Sequence, residues 1–125
     1  KPAPTGVDEQ AGLLLMNREG QMASVMLSLH SKQPKRGMIS CEKGYIEIME
    51  YPRAWEATIT YTDSGETEVI REGENADALA YELADMERAI SGDTEVMHLD
   101  YTKDVMDMMT NFRAAWGFKY PEEEK

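Results

Sequence analysis

Cysteine is nearly absent from this chain: Cys41 is the only one in 125 residues. A lone thiol excludes an internal disulfide and fits a reducing, cytoplasmic setting. Basic charge is scarce as well. Thirteen Lys and Arg stand against 24 Asp and Glu, a formal charge of −11. That balance argues against a nucleic-acid binder or a protein drawn to anionic membranes, both of which need Lys/Arg patches. No apolar run approaches the ~18 residues of a membrane span. Histidine is limited to His30 and His98; zinc wants three or four clustered ligands, so no metal site is expected. No Gly-x-Gly-x-x-Gly occurs, and the usual cradle for a dinucleotide pyrophosphate is therefore lacking in this stretch. The carboxylates include no pair whose spacing marks an acid/base dyad, and no catalytic residue is assigned.

What is present reads as one α+β domain over residues 1–125, with hydrophobic residues at an ordinary 42%. A chain of this length buries roughly two-thirds of its unfolded surface and needs no covalent staple. The apolar run Ala11-Gly12-Leu13-Leu14-Leu15-Met16, the turn Asn17-Arg18-Glu19-Gly20 and residues 21–31 form a β-hairpin pattern. In its second strand Ala23, Val25, Leu27 and Leu29 alternate with Met22, Ser24, Met26, Ser28 and His30. The first set reads as a core face. The second is semi-polar and flexible, and suits an interface with another surface: Met22, Ser24, Met26 and Ser28 are the candidates.

Further strands are expected at 37–41, 45–49, 55–62 and 66–71. Gly44 is placed to take positive φ in the turn Glu42-Lys43-Gly44. Cys41 reads as a small buried hydrophobe. Asn75 is expected to cap a helix over 76–90 with the stripe Leu79, Leu83, Met86, Ile90, ended by Gly92. A final helix carries Tyr101, Val105, Met108, Met109, Phe112, Ala115 and Trp116 on one face, leaving Asp104, Asp107, Asn111 and Arg113 to water. Asp100 or Thr102 is its expected cap, Gly117 its stop, and the acidic residues 122–124 read as a solvated end. The expected fold is an open, mostly antiparallel sheet of about six strands with two C-terminal helices packed on one face. His98 reads as a surface or capping residue. Trp55 and Tyr61 share a strand face that either joins the interface or packs under the helices.

The order of these pieces carries a resemblance. Val7-Asp8-Glu9 leads into the hairpin; Cys41-Glu42-Lys43-Gly44 matches a Gly-x-x-Gly strand turn at its second glycine; within the first helix Tyr81-Glu82 begins a stretch closing in Ile90-Ser91-Gly92. Within the last helix lies a Val-Met-x-x-Met motif from Val105-Met106, and the helix is followed by Gly117-Phe118-Lys119-Tyr120-Pro121-Glu122-Glu123. Over nearly its whole length the chain resembles the C-terminal domain of the glucose–fructose oxidoreductase and inositol dehydrogenase (Gfo/Idh/MocA) family, in its dihydrodiol-dehydrogenase-like branch.

The resemblance implies a two-domain NAD(P)-dependent oxidoreductase acting on a sugar, cyclitol or diol. An N-terminal Rossmann domain in cis would hold NAD or NADP and supply a catalytic lysine in a Glu-Lys-Pro motif. Neither Glu42-Lys43-Gly44 nor Lys1-Pro2 fits that motif, the first for want of the proline and the second for its place beside the hairpin. The present stretch would shape the substrate cleft and hold subunits together as a homodimer or higher oligomer, binding no cofactor by itself. Loops at one end of the family's sheet face the cleft, which makes His30, Lys35 and Arg36 the substrate-binding candidates. A basic loop is also commonly just a solvated one. The alternative is a stand-alone α+β binding or dimerisation module without enzyme activity.

Overall fold

A computed structural model describes residues 1–124. Its fold class is α+β, with six antiparallel strands and two C-terminal helices. The strands are shared between two open sheets, and the chain divides into two compact units, residues 1–33 with 102–125 and residues 34–101.

The first unit is built on a hairpin of β1 (Gln10–Met16) and β2 (Met22–Ser28). Asn17 sets the turn: its side-chain oxygen accepts from the amides of Glu19 and Gln21 at 3.0 and 2.9 Å. This is the local carboxamide-to-backbone bonding that makes asparagine a turn former. The ladder runs from Gln10 opposite Ser28 to Met16 opposite Met22. It continues past Ser28 through the Leu29 amide, which donates to the Glu9 carbonyl at 2.9 Å.

The second unit holds β3 (Arg36–Cys41), β4 (Gly44–Met49), β5 (Glu56–Tyr61) and β6 (Thr67–Arg71), hydrogen-bonded in chain order. Register places Ile39, Ile46, Ile59 and Glu68 in one row, with Gly37, Ile48, Ala57 and Ile70 on the same face. Met38, Glu47, Thr58 and Val69 occupy the other. The interior strands β4 and β5 are half-buried along both faces, whereas the edges β3 and β6 are largely exposed. The shielding therefore comes sideways from neighbouring strands.

Gly44 works differently from the turn expectation. It is not among the positive-φ residues. A Cβ there would collide with the backbone carbonyl of Thr60 on β5; the glycine is needed for close strand approach. Cys41, at the end of β3, is exposed and not a buried hydrophobe, because edge-strand termini have no neighbour beyond them.

The segment after β6 enters α1 (Ala78–Ile90) through a 3-10 turn at Asn75–Asp77, and neither helical start has a side-chain cap. Asn75 is thus part of the helical lead-in and does not cap α1. The Tyr81 hydroxyl reaches back to accept from the Glu74 amide at 3.0 Å and so secures the entry. Ala78, Asp85 and Ala89 are the half-buried side of α1, while Leu79, Leu83, Met86 and Ile90 are exposed. α1 packs on a following 3-10 turn, Thr94–Met97. Arg88 bridges Asp85 and Asp93 at 3.4 and 2.6 Å. His98 is an exposed residue in left-handed conformation at the end of that turn, with its ring stacked on Tyr101.

α2 spans Leu99–Trp116, so it begins ahead of both expected caps, Asp100 and Thr102. Its stop is as expected. Gly117 takes φ +63, Gly117 N–H donates to the Ala114 carbonyl and Phe118 N–H to the Arg113 carbonyl, a glycine-terminated helix end. No residue with described burial is buried, and no helix of the described residues is long and apolar enough to cross a membrane.

Candidate interaction face

Antiparallel register decides what the hairpin presents. Residues opposite one another share a face. Ala11, Leu13 and Leu15 lie with Leu27, Val25 and Ala23 on one side; Gly12, Leu14 and Met16 lie with Met26, Ser24 and Met22 on the other. On that second side Leu14, Met16, Met22 and Met26 are 73%, 71%, 65% and 68% exposed. Four large apolar side chains thus share one small exposed surface.

Its relief is uneven. Gly12 leaves room for Met26, whose Sδ would lie 3.2 Å from a Cβ at that position. Ser24, opposite Leu14, is the other small residue. The face thus alternates flexible thioethers with shallow gaps, a surface able to adapt to a partner.

The four interface candidates fall on this face, but not alike. Met22, Ser24 and Met26 are open. Ser28 is half-buried and its Oγ accepts from Gln10 Nε2 at 3.1 Å and from the amides of His30 and Ser31 at 3.1 and 2.9 Å. It ties off the strand end. Leu14, Met16 and Gly12 were not singled out from the sequence, because β1 is a continuous apolar run whose inward and outward residues are indistinguishable without a partner strand. The alternation of β2, projected across a tight turn, was the available signal.

The three substrate-binding candidates fall in different units. His30 sits at the hairpin base with Nδ1 3.4 Å from a Glu9 carboxylate oxygen. Glu9 also pairs with Lys1 Nζ at 2.7 Å. The Lys1 hydrogen bond holds the Glu9 carboxyl below its ordinary range, with a smaller contribution from His30. In the second unit Arg36 Nη1 is 3.9 Å from Glu47 on the adjacent strand. Lys35 is exposed and its carbonyl accepts from the Glu50 amide at 2.7 Å. His30 and Arg36 each face a carboxylate of their own unit.

Elsewhere in the second unit, Arg71 pairs with Glu56 at 2.8 Å and lies 5.9 Å from the Trp55 ring centroid. Tyr61 bonds Glu68 at 3.1 Å, which pushes the phenol pKa up. These are cross-strand pairs of an ordinary sheet surface. Among the described residues no group of three or more His, Cys, Asp or Glu is arranged to hold a metal ion. No family model, curated protein or solved structure matches the chain.

Proposed function

We propose that this chain acts as the substrate-cleft and oligomerisation domain of an NAD(P)-dependent oxidoreductase for a sugar, cyclitol or diol. The cofactor and the catalytic lysine belong to a Rossmann domain of the same protein. The assembly half of this reading rests on one observation, the exposed Leu14–Met16–Met22–Met26 face of the hairpin. The oxidoreductase half rests on the order of family-like residues from Val7 to Glu123. The occupant we assign to the hairpin face is a second copy of the chain, since a two-fold interface needs only a self-complementary patch and this one sets exposed Leu14, Met16 and Met22 around the small Ser24.

Size limits what the patch can do alone. Two strands of seven residues offer a face of about 240 Å² from strand rise and spacing. A stable interface takes about 800 Å² per partner. The hairpin is then the centre of a wider contact, where apolar anchors carry most of the binding energy.

Sedimentation over a concentration series is the test. Self-association that survives in the wild type and is lost in Met22→Glu/Met26→Glu supports the assembly role; a wild type that stays monomeric at high concentration removes it. Fluorescence titration with NADPH and NADH tests the other half: the chain should bind neither, and micromolar binding overturns the assignment of the cofactor to another domain. The stand-alone module shares the hairpin face and differs in one respect. An encoded upstream strand followed by Gly-x-Gly-x-x-Gly favours the enzyme, and its absence from the gene favours the module.

A further inference from the structure

Residues 122–124 were expected to be a solvated acidic end, and Arg113 a solvated helix side chain. The geometry is otherwise. Arg113 is only 28% exposed at its side chain, and its Nη2 lies 2.8 Å from Glu123 Oε1. The guanidinium carbon also sits 4.5 Å from the centroid of the Tyr120 ring. The second Glu123 oxygen accepts from the Tyr120 amide at 3.0 Å, so one carboxylate closes the turn and meets the guanidinium at once. Tyr120 stands edge-on to Phe118, with ring centroids 5.2 Å apart. The left-handed Gly117 starts the reversal that brings these residues back along the helix.

This arrangement reaches a cleft. Trp116, Gly117 and Phe118 line a space of about 370 Å³ together with Asp8, Gln10 and Gly12 of the hairpin unit. Phe118 is thus both a wall of the cleft and a member of the folded-back segment.

We propose that residues 117–123 form a strap latched by Arg113, which holds Phe118 in the cleft wall and whose release opens that cleft. Two separate attractions set the latch, the Arg113–Glu123 ion pair and the Arg113–Tyr120 cation–π contact. Each is modest at a partly exposed site, so the strap is reversible, as a closing device needs to be. Arg113 is also pinned within α2, which makes it the fixed half and the tail the moving half. The Glu123 carboxyl is held below its ordinary range by Arg113 first, then by the Tyr120 amide, with Lys119 adding its charge.

Limited trypsin digestion of the full chain tests this, because Lys119 lies inside the strap. The readout is the rate of cleavage after Lys119 divided by the rate after Lys103 in α2, which lies in the same unit and so cancels general loosening of that unit. In Glu123→Gln, which keeps shape and removes charge, that ratio should rise about two- to fivefold, the reach of a partly exposed ion pair. Tyr120→Leu should raise it about as much, and the double variant by roughly the product if the two attractions act independently. Raising salt should increase the ratio in the wild type but not in Glu123→Gln. An unchanged ratio in both single variants, or a salt response that persists in Glu123→Gln, overturns the strap.

Discussion

The hairpin β1–β2 and the sheet β3–β6 share an antiparallel alternation but leave different surfaces open. Both sides of the hairpin are apolar, Leu13, Leu15 and Val25 on one and Leu14, Met16, Met22 and Met26 on the other. The four-stranded sheet divides its chemistry, with Ile39, Ile46, Ile48, Ile59 and Ile70 on one face and threonines and ion-paired side chains on much of the other. An antiparallel sheet with one polar face can leave that face in water. A ribbon of two strands with two apolar faces cannot, and a two-stranded hairpin is marginal without packing. The difference teaches where apolar surface is presented: the sheet has one apolar side, the hairpin two.

That contrast can be broken or sharpened by substitution. The largest effect is expected from Met22→Glu/Met26→Glu. Burying one methionine is worth about 1.5–3 kcal/mol, so two lost anchors per copy should weaken self-association at least a hundredfold, roughly 2.7 kcal/mol. Sedimentation gives the constant, and unchanged far-UV circular dichroism shows that the helices persist. The same charges introduced at Thr58 and Thr60, in the middle of β5 on the sheet's polar face, should leave association unchanged; equal weakening would erase the distinction between the two surfaces.

Gly44→Ala comes next and acts on the sheet alone. The new methyl meets the Thr60 carbonyl, backbone that has nowhere to move, and a loss of about 2–4 kcal/mol is expected. Hydrogen exchange should show β4 and β5 amides opening while the β1–β2 amides keep their protection. Loss of protection in the hairpin as well would mean that the two units unfold together.

A smaller effect, about 1 kcal/mol, is expected from Asn17→Ala, which removes the two amide bonds that shape the hairpin turn. Its signature is faster exchange at Glu19 and Gln21 with the sheet unaffected.

Solution pH should separate the regions by direction. Glu9 has its pKa lowered, chiefly by Lys1. The stabilisation of the hairpin base is therefore present above the ordinary glutamate pKa and fades as pH falls through the lowered one. Tyr61 has its pKa raised, chiefly by the hydrogen bond to Glu68. Its contribution to the sheet is complete below the ordinary tyrosine pKa and fades as pH rises through the raised one. Protection of the Leu29 amide, which bonds the Glu9 carbonyl, should fall in acid once its exchange rate is divided by the intrinsic rate at the same pH. The Tyr61 phenol, followed by ultraviolet difference absorbance, should ionise later than an exposed tyrosine.

Much of the fold was legible locally. Turn residues placed the boundaries of the β1–β2 hairpin within a few residues, since Asn17 and Gly20 encode a reversal in their own backbone preferences. The Gly92 and Gly117 stops were readable for the same reason, whereas the apolar stripe expected to cover α1's packing side, Leu79, Leu83, Met86 and Ile90, is exposed. Helix starts were read less well: Asn75 and Asp100 have capping chemistry, but the chain was already turning before each could cap. Of the candidate interaction face, the half on β2 was visible through its alternation, and the half on β1 was hidden in an unbroken apolar run.

The sequence by itself determined the kinds and order of elements, because periodicity, turn chemistry and helix stops act within a few residues of chain. Tertiary structure alone decided which residues became neighbours. Leu14 and Met16 joined Met22 and Met26 only through register. Gly44 proved necessary only because β5 passes against it, and Arg113 became a latch only when the tail turned back through Gly117. Each of these depends on a meeting of distant atoms, and no local preference of the backbone records who the partner will be.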